Sequence, residues 1–194
     1  MRVSGLNRKK TMALPQPYRS RPTRLGRFRQ DQSGASALEF ALVAGPLILL
    51  LLATLQVGLV FFANFTLEGA VERGARLIRT GQAQNGKFSA GEFKNEVCKY
   101  LTAPLSCTKL KLDVRSYANF AGAGQNLTNP IGRDGKLKTN FSYDPGSGED
   151  VIVVRAFYPL DIGSLLPSEI SLSNLADGER LLVATAAFRN EPFK

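Results

Sequence analysis

From Phe40 to Leu67 the chain runs for 28 residues without an Asp, Glu, Lys or Arg. Its most apolar part, Phe40–Ala63, reads FALVAGPLILLLLATLQVGLVFFA. At about 1.5 Å of rise per residue, a helix of that length crosses a hydrocarbon core of about 30 Å. A cleaved secretory signal has an apolar core of roughly 7–15 residues followed by a small-x-small site. This core is longer and has a long leader before it. It therefore reads as a signal anchor, and the rest of the fold must hang from one membrane-spanning helix.

The charge is distributed to match. Residues 1–34 carry nine Lys and Arg against one acid, Asp31, so nearly all of the chain's formal +9 lies there. The other 160 residues are close to neutral. A basic arm can bind nucleic acid, but this one has Pro15, Pro17 and Pro22, lacks a helical period and abuts the apolar run. It reads more simply as a cytoplasmic leader, with no nucleic-acid partner. The Lys/Arg bias across the span places the N-terminus in the cytoplasm and the part from Thr66 to Lys194 outside it. The two cysteines, Cys98 and Cys107, have eight residues between them. They fit one disulfide in an oxidising compartment; two buried free thiols are the other arrangement.

One carboxylate, Glu39, stands at the leading edge of the apolar run, five residues after Gly34. A lone acid in hydrocarbon costs about 2.5–3.5 kcal/mol on insertion scales, so it marks a function or a partner. The plainer account is a residue at the interface that steadies the start of the helix through its dipole.

Gly34 followed by Ala35-Ser36-Ala37-Leu38, then Glu39 and the aromatic Phe40, then the apolar helix, resembles the signature cut by prepilin peptidases. With Pro46, the leucine run, Gly58 and GAVERGARLIRTG (69–81), the pattern is similar to the TadE-like branch of the type IV pilin superfamily. These are minor pilins or pseudopilins of the tight-adherence (Flp) pilus. The resemblance implies cleavage between Gly34 and Ala35 on the cytoplasmic face, with Glu39 and Phe40 serving recognition and assembly. It implies that Glu39 pairs with an N-terminal amine, since a paired buried charge fixes register between helices. The implied partners are a prepilin peptidase, other pilins such as a second TadE- or TadG-like protein, and the bacterial inner membrane, with the folded part in the periplasm or the fibre. Where the family often has a second acid, this chain has Gln56-Val57-Gly58, and Gln56 can hydrogen-bond across helices. Gly45-Pro46 is a candidate kink, because proline removes a helical hydrogen bond.

The expected architecture is α+β: a basic cytoplasmic leader over 1–34, a long pilin-like helix over 35–81 that spans the membrane at about 40–63, and an extracytoplasmic head over 82–194 built on a small antiparallel sheet. From Thr66 the helix should continue into water with Glu68, Glu72, Arg73, Arg76 and Arg79 solvated, Glu72 and Arg76 standing four apart. Ala70, Gly74, Ala75, Leu77 and Ile78 give a small, apolar face; the plainer reading is an ordinary exposed helix, and the alternative is close approach by another helix. Gly81 ends it. Ser89 caps a short helix with Phe93, Val97, Tyr100 and Leu101 on one face. Alternation marks strands at 109–117, 150–160 and 180–190. The Gly- and Asn-rich stretch 122–148 reads as long surface loops. Leu165, Leu166 and Ile170 belong either to a docking loop or to the core. Asn64, Asn126 and Asn140 match Asn-x-Ser/Thr and are given no role.

With no His in the chain and no second cysteine pair, neither a zinc site nor a Ser-His-Asp or Cys-His catalytic pair is expected. No phosphate loop is present, and Glu149-Asp150 reads as a solvated turn. The chain is expected to be no enzyme, to use no cofactor or metal, and to be a substrate of catalysis. The alternative is an uncleaved, permanently anchored envelope protein whose exported domain binds a partner.

Overall fold

A computed structural model describes residues 34–162 and 172–193. The leader up to Ser33 and the residues Leu165, Leu166 and Ile170 lie outside the described residues. The chain divides into two compact units at Gly45–Pro46. Described residues of the first unit are a turn at Gly34 and the opening of helix α1 (Ala35–Arg79). The second unit holds the remainder of α1 and the head. The fold is α+β, a long apolar N-terminal helix with a three-stranded antiparallel sheet, as expected.

After α1 come α2 (Gln82–Asn85), α3 (Ala90–Cys98), β1 (Lys111–Tyr117), α4 (Phe120–Gln125), β2 (Val151–Leu160) and β3 (Arg180–Arg189). The strands are ordered β1-β2-β3, with Asp113 facing Arg155 and Val154 facing Ala186 across the ladders.

The helix ends where Gly81 takes φ 76°, a left-handed conformation that a side chain resists. The Gly81 N–H donates to the Ile78 carbonyl at 3.0 Å. A Cβ here would also meet the Phe193 ring at 2.6 Å, so both backbone and packing ask for glycine.

Within the second unit α1 is not a free rod in water beyond Thr66. Ala63, Leu67, Ala70, Val71, Ala75 and Ile78 recur at spacings of three and four and lie buried in the main core. They pack with Ile152, Val154, Ala156, Tyr158 and Leu160 of β2 and with Leu182 and Ala184 of β3. Glu68, Glu72, Arg73, Arg76 and Arg79 do face solvent, but Glu72 and Arg76 form no ion pair. Arg73 instead lies over the Tyr100 ring, 4.9 Å from its centroid.

The small residues admit a helix of the chain itself. A Cβ on Gly74 would come within 2.5 Å of Val97 Cγ2 on α3, which brings the fully buried Phe93 and Val97 against α1. Helix α3 starts in a full capping box: the Ser89 hydroxyl accepts from Glu92 N–H and the Glu92 carboxylate accepts from Ser89 N–H at 2.7 Å. It ends at Cys98, whose disulfide to Cys107, with Cα atoms 5.5 Å apart, ties α3 to the segment leading into β1.

The stretch 122–148 departs from expectation, because it covers the second face of the sheet. Every residue of β2 except the half-exposed Pro159 is buried, so this strand does not alternate. Its even positions face α1. Its odd positions are covered by Ala123 of α4, which joins Val151 and Val153, and by Ile131, Leu137 and Phe141, which join Phe157, Leu175 and Leu181. Continuous apolarity is what burial on both faces requires.

The two sheet edges differ. On β1 the outer side of Val114 is closed, since its N–H donates to Ser142 O at 2.8 Å and its carbonyl accepts from Asp144 N–H at 2.9 Å. On β3, Asn190 N–H turns toward β2 to reach Asp150 O at 2.8 Å, while Leu181 N–H turns away to Asn174 Oδ1 at 2.7 Å. The alternation of an antiparallel ladder then aims the backbone groups of Val183, Thr185 and Ala187 outward. Among the described residues no backbone group meets them there. Strand β3 runs in the same direction as α1. Val57, Val60 and Asn64 share a groove with Arg180–Val183, and Glu72, Arg76 and Arg79 share one with Thr185–Phe188.

Candidate functional site

The residues singled out for processing stand together at the start of α1. Gly34 forms the turn before the helix, and its carbonyl accepts from Leu38 N–H at 3.1 Å. Ala35 is the first helical residue, and Glu39 follows one turn later. All residues from Gly34 to Phe40 are exposed, Phe40 at 75%. Gly34 has no left-handed φ, and among the described residues nothing lies within 4 Å of a Cβ built on it. Among the described residues, then, nothing requires glycine at this position.

Glu39 has no hydrogen-bond or ion-pair partner among the described residues. A carboxylate here has the geometry to meet a positive group in the first turn, because positions four apart share a helix face. An amine on Ala35 would be such a group. Phe40 and the apolar side chains beyond it, including Leu42, Val43, Leu47 and Leu50, project outward. The 45-residue helix contains a window of mean hydropathy 2.4, long and apolar enough to cross a membrane, and only 11% of that window is buried.

Gly45 and Pro46 lie inside α1, and nothing stands within 4 Å of a Cβ on Gly45. Proline has no N–H to give to the Leu42 carbonyl.

Gln56 behaves differently from expectation. It is 4% exposed, and its Nε2 donates to Ile162 O at 3.4 Å rather than across to another helix. Its Oε1 is buried without a partner. Here the head begins to cover the helix, for Leu55, Gln56, Leu59 and Val60 line a small cavity with Leu160, Asp161 and Ile162.

Sequence reasoning missed the polar centre of the head. Asp113, 1% exposed, accepts from Arg155 Nη2 at 2.6 Å, from Arg115 Nε at 3.1 Å and from Ser142 N–H at 3.0 Å. Burial alone would raise the Asp113 pKa, but these three donors outweigh it and hold the carboxyl below the usual range. Arg155 also donates to Thr128 O at 2.8 Å, so the pair pins the segment 128–142 onto the sheet. The signal was present: Arg155 is the lone charge within VIVVRAFYPL.

Comparison with known families matches residues 34–76 to a family described as TadE-like protein. Comparison with curated proteins and with solved structures gives no match. The matched stretch begins at Gly34, contains Glu39 and Phe40, and ends where α1 packs on the sheet. Over residues 34–76, then, this chain is similar to the TadE-like family that its Gly34…Glu39-Phe40 pattern resembles, and the match suggests a membrane-anchored protein associated with the tight-adherence pilus.

Proposed function

We propose that this protein is a minor pilin or pseudopilin, cut by a prepilin peptidase between Gly34 and Ala35, that acts in assembly of a tight-adherence pilus. The observation that carries this reading is the exposed Gly34–Phe40 segment. It holds a glycine that the described residues do not require and a carboxylate that none of them pairs. A residue kept small without an internal reason fits a peptidase subsite. An unpartnered acid at the entry to an apolar helix fits a charge held for another subunit.

In this reading the leader lies in the cytoplasm and the head in the periplasm, following the Lys/Arg bias. Cleavage removes the leader's positive charge and creates an α-amino group on Ala35. Glu39 then pairs with an N-terminal amine of a neighbouring subunit and sets the axial alignment of the two helices. The protein's partners are the peptidase, other pilins and the inner membrane. It is processed by an enzyme and performs no catalysis itself.

The test is the intact mass and N-terminal sequence of the membrane-extracted protein, with and without the peptidase. A chain beginning Ala35-Ser36-Ala37 only when the peptidase is present supports the reading, and Gly34→Ala should block that maturation. A chain that keeps its leader in both cells makes it a fixed anchor, and the pilin reading fails.

A further inference from the structure

We infer that the helix-proximal rim of the head, centred on Leu181–Val183 of β3, is seated in the headgroup layer of the membrane, with the lipid surface as its partner. The inference rests on anchoring by α1 and not on cleavage or piliation.

The first argument is length. A spanning helix needs about 20 residues, and counted from Phe40 these end at Leu59. The head already touches α1 at Leu55 and Gln56. The headgroup region adds roughly 5–8 Å on each side of the hydrocarbon, which is about four more residues of helix, reaching Ala63. Val57, Val60, Phe61 and Asn64 share one groove of about 370 Å³ with Leu172 and Arg180–Val183. The start of β3 is therefore level with the end of the span.

The second argument is the surface exposed at that level. On the sides that the head leaves open, α1 carries Phe61, Phe62 and Phe65 at 70%, 55% and 78% exposure. Val183 on the head is 41% exposed at the same level, on the sheet face away from α1. Amphipathic and aromatic groups gather at membrane interfaces, and these apolar side chains stand at the end of the exposed apolar surface of the helix. Farther along β3 the same sheet face shows Thr185, Ala187 and Arg189, which suit water. Charged groups at the rim suit the hydrated headgroup layer and not hydrocarbon. Half-buried Arg180, whose Nη1 donates to Leu172 O at 3.1 Å, lines the groove at this level.

The chain contains no tryptophan, so one introduced indole reports its own depth. The full chain bearing Val183→Trp or Ala187→Trp is reconstituted in phosphatidylcholine vesicles, with or without lipids brominated high on the acyl chain. The expected result for Val183→Trp is blue-shifted emission, quenched at least twofold by the brominated lipid. Ala187→Trp, four residues along the same strand, should emit as a hydrated indole and be quenched little. Equal, weak quenching at both positions overturns the inference. For the unsubstituted chain in the same vesicles, a water-soluble paramagnetic chelate should broaden the Ala187 methyl signal and spare those of Val183. Equal broadening also overturns it, whether or not the substituted chains fold.

Discussion

Asp113 and Arg155 face each other on neighbouring strands, and the guanidinium reaches the carboxylate at 2.6 Å with both side chains almost closed to solvent. Removing one member of such a pair costs about 3–5 kcal/mol, because the other is left charged and buried. Asp113→Asn should therefore lower unfolding stability by that order. Asp113 has its pKa depressed by folding. Its contribution is complete above the unfolded value of about 3.9 and is lost as pH falls through the folded value. Denaturant melts taken between pH 5 and 2 should show wild type losing stability faster than Asp113→Asn. Parallel curves would mean the pair does not matter.

Tyr143 has the opposite sign. Burial, then the Glu92 carboxylate, push its pKa up to about 12, and its hydroxyl is buried without a hydrogen-bond partner. The neutral phenol is favoured in the fold. Its contribution is present below about pH 10, the unfolded value, and is lost as pH rises through about 12. Tyr143→Phe removes an unsatisfied group, so stability at pH 7 should hold or rise by about 1 kcal/mol. The ultraviolet phenolate titration should lose its latest-ionising component.

Gly74 and Val97 test the close approach of α3 to α1. Gly74→Ala places a methyl 2.5 Å from Val97 Cγ2, in a wholly buried, β-branched side chain that has little room to turn. Overpacking of this kind costs about 1–3 kcal/mol. Combined with Val97→Ala, the loss should be at least about 1 kcal/mol less than the sum of the two single losses. Strict additivity in thermal melts would contradict the contact.

Cys98→Ser opens a loop with a sequence separation of 9. The chain-entropy relation gives about 2.5 kcal/mol for closing a loop of this size. Reduction of the wild type should shift its midpoint to that of the variant, and reduction should leave the variant unmoved.

Glu39→Ala should leave membrane insertion intact, since it removes the only charge at the leading edge of the apolar run. In a piliated cell it should reduce assembly while the protein still fractionates with membranes. Normal piliation would remove Glu39 from the assembly account.

The elements with local chemical signals were readable directly. Ser89 with Glu92 announces a helix start and Gly81 a helix stop, each resting on residues within one turn of one another, and the apolar run announces a long apolar helix. The three strands begin and end within two residues of where alternation sets them. What escaped was what depends on distant neighbours. Residues 122–148 look like loop because glycine and asparagine fill them, yet Ile131, Leu137 and Phe141 hold the second face of β2. The clue was in β2 itself, where Arg155 alone interrupts an apolar run that demanded two covers. For Gln56 the sequence offers only the capacity to hydrogen-bond across helices, because the partner it meets, Ile162, stands 106 residues away. At Gly34–Phe40 the motif was visible because seven consecutive residues carry it.

The shared direction of β3 and α1 has a consequence for self-association. Two copies joining their open edges in antiparallel fashion, the pairing exposed strands most easily make, are related by a two-fold axis perpendicular to the strands. That operation reverses whatever runs alongside, so the two helices would enter the membrane from opposite poles. One bilayer cannot receive both. Tethering thus vetoes the contact that would otherwise seed fibrils, and a head severed from its apolar helix is released from the veto.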